Sequence, residues 1–130
     1  MPLDIGIGPS RYPAQDEPSL QLDNDGYYWF LHPLFEQLAA ETGQYVDLYG
    51  DASFNGDALA ALEQTLAAAR DLVTSQPATW RVHVGTQTMP ARKELYKIVE
   101  KTRFFELLDQ WERIVARAKQ SNRPVVCFGD

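Results

Sequence analysis

The chain has 130 residues, 45% of them hydrophobic and 23% charged, a globular rather than a disordered composition. Its formal net charge of -6 argues against non-specific nucleic-acid binding, which requires a basic field. No apolar run reaches the roughly 18 residues needed to cross a membrane as a helix, and the single cysteine, Cys127, excludes an internal disulfide framework.

The N-terminal segment has no basic region and no long apolar run, so it does not read as a signal peptide. Leu3, Ile5 and Ile7 alternate, which suits a short edge strand. Pro9 and Pro13 then interrupt regular structure, so residues 9–22 are expected to form an irregular arm. Asp23-Asn24-Asp25-Gly26 is a turn signal. The run Tyr27-Tyr28-Trp29-Phe30-Leu31 cannot all face water and reads either as a buried strand or as the start of a docked helix. His32-Pro33 is expected to open the first helix, since proline is tolerated in a first turn. Leu34, Phe35, Leu38 and Ala39 continue it, and Gly43 is its expected end.

Tyr45-Val46-Asp47-Leu48-Tyr49 alternates as a strand does, and residues 50–56 read as a loop. A second helix is expected over 57–75, capped by Asn55 or Asp57, with Leu59, Leu62, Leu66, Ala69 and Val73 on one stripe. Thr79 to Thr86 reads as a strand with Trp80, Val82 and Val84 on one face and Arg81 and His83 on the other. Residues 94–101 suit a strand or a helix equally. A third helix over 103–120 carries Phe104, Leu107, Leu108, Trp111, Ile114, Val115 and Ala118, and residues 124–128 read as a short closing strand. The order predicts a single α/β or α+β domain spanning 1–130, with a small sheet of three to five strands packed against three helices.

The charge is uneven. Residues 1–75 carry twelve acids and two bases, a net of -10, whereas residues 76–130 carry six acids and ten bases, a net of +4. The two parts either attract each other within the domain or present separate faces, and an acidic face steers a basic partner.

Enzyme signatures are sparse. With two histidines and one cysteine, no zinc-ligand spacing occurs. Gly6 and Gly8 lack the strand, helix start and Lys-Ser/Thr pair of a phosphate loop. The Asp-rich turns do not follow the calcium-loop pattern. No cofactor is expected. The enzyme alternative rests on His83 with Cys127, helped by Arg81 and an acid from Asp47 or Asp51. Against it, Cys127 in Val-Val-Cys-Phe has the setting of a small buried thiol. A second alternative is a small structural or ligand-binding subunit, in which part of a helical stripe pairs two chains; monomer and homodimer are both left open.

Aromatic residues are interleaved with the turn acids. Tyrosine and tryptophan combine large contact area with a polar handle, which suits interfaces. Asp23, Asp25, Tyr28, Asp47, Tyr49 and Asp51 are therefore expected to be exposed together as a partner-binding patch, although a core role for much of the aromatic run is equally open.

Three segments carry a resemblance. They are Asp25-Gly26-Tyr27-Tyr28, Tyr45-Val46-Asp47-Leu48-Tyr49, and the closing Pro124-Val125-Val126-Cys127-Phe128-Gly129-Asp130 after the Trp111 helix. In these the chain resembles, at the level of class, bacterial immunity proteins of polymorphic or contact-dependent toxin systems. The resemblance implies a small cytoplasmic protein, without catalysis of its own, that binds a cognate and possibly basic protein toxin. It implies neither a nucleic-acid nor a membrane partner.

Overall fold

The computed structural model describes residues 2–10 and 16–129. Residues 11–15 of the expected arm lie outside the described residues. The alternation at the N-terminus produces strand β1 (Leu3–Ile7), with Leu3, Ile5 and Ile7 buried. It is not an edge strand. The end of the expected arm forms β2 (Leu20–Leu22), whose Leu20 and Leu22 alternate around Gln21, and it pairs antiparallel with β1 in the register Ile5↔Leu20. The closing strand β6 (Val125–Phe128) pairs with the other side of β1.

Helix α1 (Gly26–Thr42) starts six residues before the expected opening at His32. Asp25 is the reason: its side chain accepts the N–H groups of Tyr27 and Tyr28, satisfying donors that a helix start leaves open. The aromatic run then divides between helix faces. Tyr28, Leu31, Phe35 and Leu38 turn into the core, while Phe30 packs against Trp80 and Phe104. Pro33 sits inside the helix rather than at its start. Gly43, in the left-handed conformation at φ 76°, ends it by donating to Ala39 O.

The strand expected at 45–49 and the loop expected after it exchange places. Val46 and Leu48 are buried, yet the backbone turns there, because the Asp47 carboxylate accepts the N–H of Tyr49 at 3.0 Å. The strand is β3 (Asp51–Phe54), with Ala52 and Phe54 inward and Asp51 and Ser53 outward, paired antiparallel with β6. The four-stranded sheet therefore runs β2-β1-β6-β3.

Helix α2 (Gly56–Thr74) buries Leu59, Leu62, Leu66, Ala69 and Val73, the expected stripe. Strands β4 (Thr79–Gln87) and β5 (Lys93–Glu100) form a separate antiparallel ribbon, with a bulge between His83 and Gly85. Residues 94–100 are thus strand, and the chain passes directly into α3 (Lys101–Ser121). The inner face of the ribbon carries Trp80, Val82 and Val99 over α1 and α3, where Trp80 stacks on Phe104 at 5.9 Å. Gly26 lies at the tightest part of this junction: a Cβ there would stand 2.6 Å from Val99 Cγ1.

Among the described residues the architecture is α+β, with three helices and antiparallel sheets of four and two strands. Leu62, Leu66, Leu108 and Trp111 are all buried within one chain, so both helical stripes belong to its own core. Opposite charges meet across the fold, as Lys119 with Glu63, Arg123 with Glu17, and Arg70 with Asp109 and Glu112. No helix among the described residues is long and apolar enough to cross a membrane.

Candidate protein-binding surface

The turn at 47–51 is built from backbone outward. Asp47 accepts from Tyr49 N–H, and Gly50 N–H points at Asp47 O at 3.4 Å. From the end of β6, Gly129 N–H donates to Gly50 O at 2.8 Å. Gly129 has to be glycine on steric grounds, since a Cβ would stand 2.6 Å from Gly50 N and Leu48 O. This anchoring leaves the Tyr49 side chain 68% exposed between Asp47 and Asp51.

The six expected partner-binding residues do not stay together. Asp47, Tyr49 and Asp51 share the turn, with Asp47 half-buried and Asp51 exposed at the start of β3. Asp23 is exposed before α1. Asp25 is half-buried as the helix cap; burial raises its pKa, partly offset by the Tyr28 and Tyr27 N–H groups. Tyr28 leaves the surface altogether. It is 2% exposed, and its hydroxyl donates to Val46 O at 2.8 Å, tying α1 to the segment before the turn. Burial pushes its phenol well above the ordinary tyrosine range. Position 28 falls on the helix phase of Leu31 and Phe35, which is why it turns inward.

The enzyme candidates are also separated. Cys127 lies in β6 of the four-stranded sheet, fully buried, and burial pushes its thiol up to about 12, so it is protonated at neutral pH. His83 and Arg81 lie on the ribbon, where His83 Nε2 is 2.6 Å from Glu94 Oε2.

Two further groupings lie outside those that the sequence points to. The first is a chain of contacts from Glu36 through His32 to Tyr45. His32 Nδ1 is 3.3 Å from Glu36, and Nε2 is 2.6 Å from the Tyr45 hydroxyl. His32 thus bridges Glu36 and Tyr45, which steadies the segment leading to the turn. The i, i+4 spacing of His32 and Glu36 was the available signal, hidden by the expected helix start. The second is the outer face of the ribbon. Arg81 lies over the Tyr96 ring at 4.5 Å, and Glu94 gathers His83, Thr86 and Arg92. Tyr96 and Ile98 are exposed at 47% and 64%. Their signal was the absence of one clean apolar face in 94–101.

A cleft of 740 Å³ between β1, β2 and α3 is lined by Asp4, Gln21, Arg103, Glu106 and Gln110 among others, and by none of the six expected residues. Compared with protein-family models, known proteins and solved structures, the chain has no significant match.

Proposed function

We propose that this chain is a non-catalytic, cytoplasmic binding protein that neutralises a cognate protein toxin by covering its active or substrate-binding surface. Asp47, Tyr49 and Asp51 form the centre of the contact. The observation that carries the reading is the exposed Tyr49, whose N–H donates to the Asp47 carboxylate and whose neighbour Gly50 is held by Gly129. Most large aromatics among the described residues are wholly or partly buried; Tyr49 projects from a turn whose backbone is braced by hydrogen bonds at Tyr49 N–H, Gly50 N–H and Gly50 O. An aromatic anchor on a braced backbone spares the cost of ordering the loop on binding. The flanking carboxylates favour a basic counter-surface and a fast encounter.

The test is co-expression with the product of the adjacent gene. The expected result is a one-to-one complex and protection of the host from that product. Tyr49→Ala should weaken the complex by about 2 kcal/mol or more, roughly thirtyfold. Asp51→Asn should chiefly slow association, and less so at high salt. A partner-free chain that protects against nothing, or full affinity in Tyr49→Ala, overturns the reading.

A further inference from the structure

We propose that the cleft between β1, β2 and α3 binds a zwitterion of dipeptide size, with its ammonium held at Asp4 and its carboxylate at Arg103.

Asp4 and Gly6 of β1 and Gln21 of β2 form one wall of this 740 Å³ cleft, and Arg103, Glu106 and Gln110 of α3 form the other. The volume lies within the roughly 300–1,000 Å³ of small-molecule sites. Both walls are braced. Gln110 Nε2 donates to Ser19 O at 2.7 Å, which ties α3 to the residue before β2. Gln21 Nε2 donates to Asp4 Oδ1 at 2.8 Å, which steadies that carboxylate. Arg103 stands over the Tyr27 ring, 6.0 Å from its centroid. The cleft is thus formed in the free chain, which lowers the cost of binding.

Gly6 is the observation that points to an occupant. A glycine inside a strand weakens it, and is found at bulges, at tight bends, or where a ligand or another backbone comes close. β1 keeps an unbroken register with β6 from Asp4 to Ile7, so no bulge calls for it. Gly6 is not among the glycines with positive φ. A Cβ there would meet nothing within 4 Å. Neither the backbone nor the packing of this chain demands a glycine at a position that lines the cleft.

The charged groups define the class of ligand. Asp4, Arg103 and Glu106 enter no ion pair among the described residues. A carboxylate only accepts hydrogen bonds, and a guanidinium only donates them, in a fork that matches a carboxylate. One ligand bearing both an ammonium and a carboxylate answers both and bridges the walls, with Glu106 as a further acceptor. The side-chain amides of Gln21 and Gln110 suit a peptide group between the two ends. A free amino acid would leave most of a cleft this size to water. A phosphate-bearing ligand would meet two carboxylates for one guanidinium, and an acyl chain would desolvate charged walls.

The isotope-labelled chain, followed by NMR, should show saturable shifts of the Gly6, Ser19 and Gln110 amides on titration with alanyl-alanine, with a Kd of about 1 mM or tighter. N-acetyl-alanyl-alanine lacks the ammonium and alanyl-alanine amide lacks the carboxylate, and each should bind about tenfold more weakly or worse. The two penalties should separate by residue. Asp4→Asn should abolish the distinction from the acetylated probe, and Arg103→Gln the distinction from the amidated one. Gly6→Val has room for its first side-chain carbon and suits a strand. It should keep its circular dichroism and lose about tenfold or more in affinity. Absence of saturation, equal affinity for the capped probes, or full affinity in Gly6→Val overturns the proposal. If Gly6→Val does not fold, the capped probes on the wild type still decide it. The Asp47–Tyr49–Asp51 turn does not line this cleft. Failure of dipeptide binding therefore leaves the toxin reading untouched, and loss of toxin binding leaves this one untouched.

Discussion

Asp25 is pulled in two directions. Its carboxylate caps α1, a role that favours the charged form, while burial favours the neutral form and raises the pKa overall. A carboxyl whose pKa is raised by folding contributes stability that is present below its unfolded pKa and is lost as pH rises through its folded value. Asparagine keeps the capping oxygen without the charge. Urea unfolding across the carboxylate pH range should therefore show Asp25→Asn gaining on the wild type as pH rises. Asp25→Ala, which lacks the cap, should fall below Asp25→Asn by about 1 kcal/mol at neutral pH. The Asp-Asn-Asp-Gly turn is legible in the sequence, but with a helix expected to open only at His32 it predicts Tyr28 at the surface; the cap made by Asp25 reverses that. Once Asp25 starts the helix, the phase of Tyr28, Leu31 and Phe35 sends the tyrosine inward.

At the scale of elements, α1 carries an internal defect. Pro33 is exposed, has no N–H to offer Trp29 O, and lies well past the first turn. Pro33→Ala should stabilise the chain by about 1 kcal/mol or more, read as a higher urea midpoint at unchanged slope. An unchanged or lower midpoint would mean that the proline's packing outweighs the missing bond. Helices α2 and α3 were legible almost residue by residue, because an apolar stripe at helical period has few other folded forms. The segment 45–54 was not. Tyr45–Tyr49 has strand alternation, but local side-chain bonding by Asp47 turns the backbone, and β6 selects Asp51–Phe54 as its neighbour instead. Pairing of that kind joins residues more than seventy positions apart.

Across the whole molecule, β6 is the strand on which the other parts converge. It pairs with β1 on one side and β3 on the other, and Val125 and Cys127 lie in the core cluster. Reagent reaches the Cys127 thiol only when this sheet opens, and the thiol is protonated until its pKa of about 12 is approached. In native buffer Cys127 should resist alkylation. Its labelling rate should rise with urea in parallel with global unfolding, because a central strand exchanges only at the full unfolding free energy. Rapid labelling without urea would show that β6 opens locally.

The sequence alone determined what depends on neighbours a few residues apart. These are the periods of α2 and α3, the buried setting of Cys127, the alternation that makes β1, and the uneven charge. Tertiary structure decided what depends on distant partners: that the end of the arm becomes β2, that residues 94–100 pair with β4 rather than coil into a helix, and that Gly129 locks the turn presenting Tyr49. The reason is physical. Helical and strand periods are written in local side-chain order, whereas a strand's hydrogen bonds are satisfied only by another segment, and that segment is chosen by the packing of the whole chain.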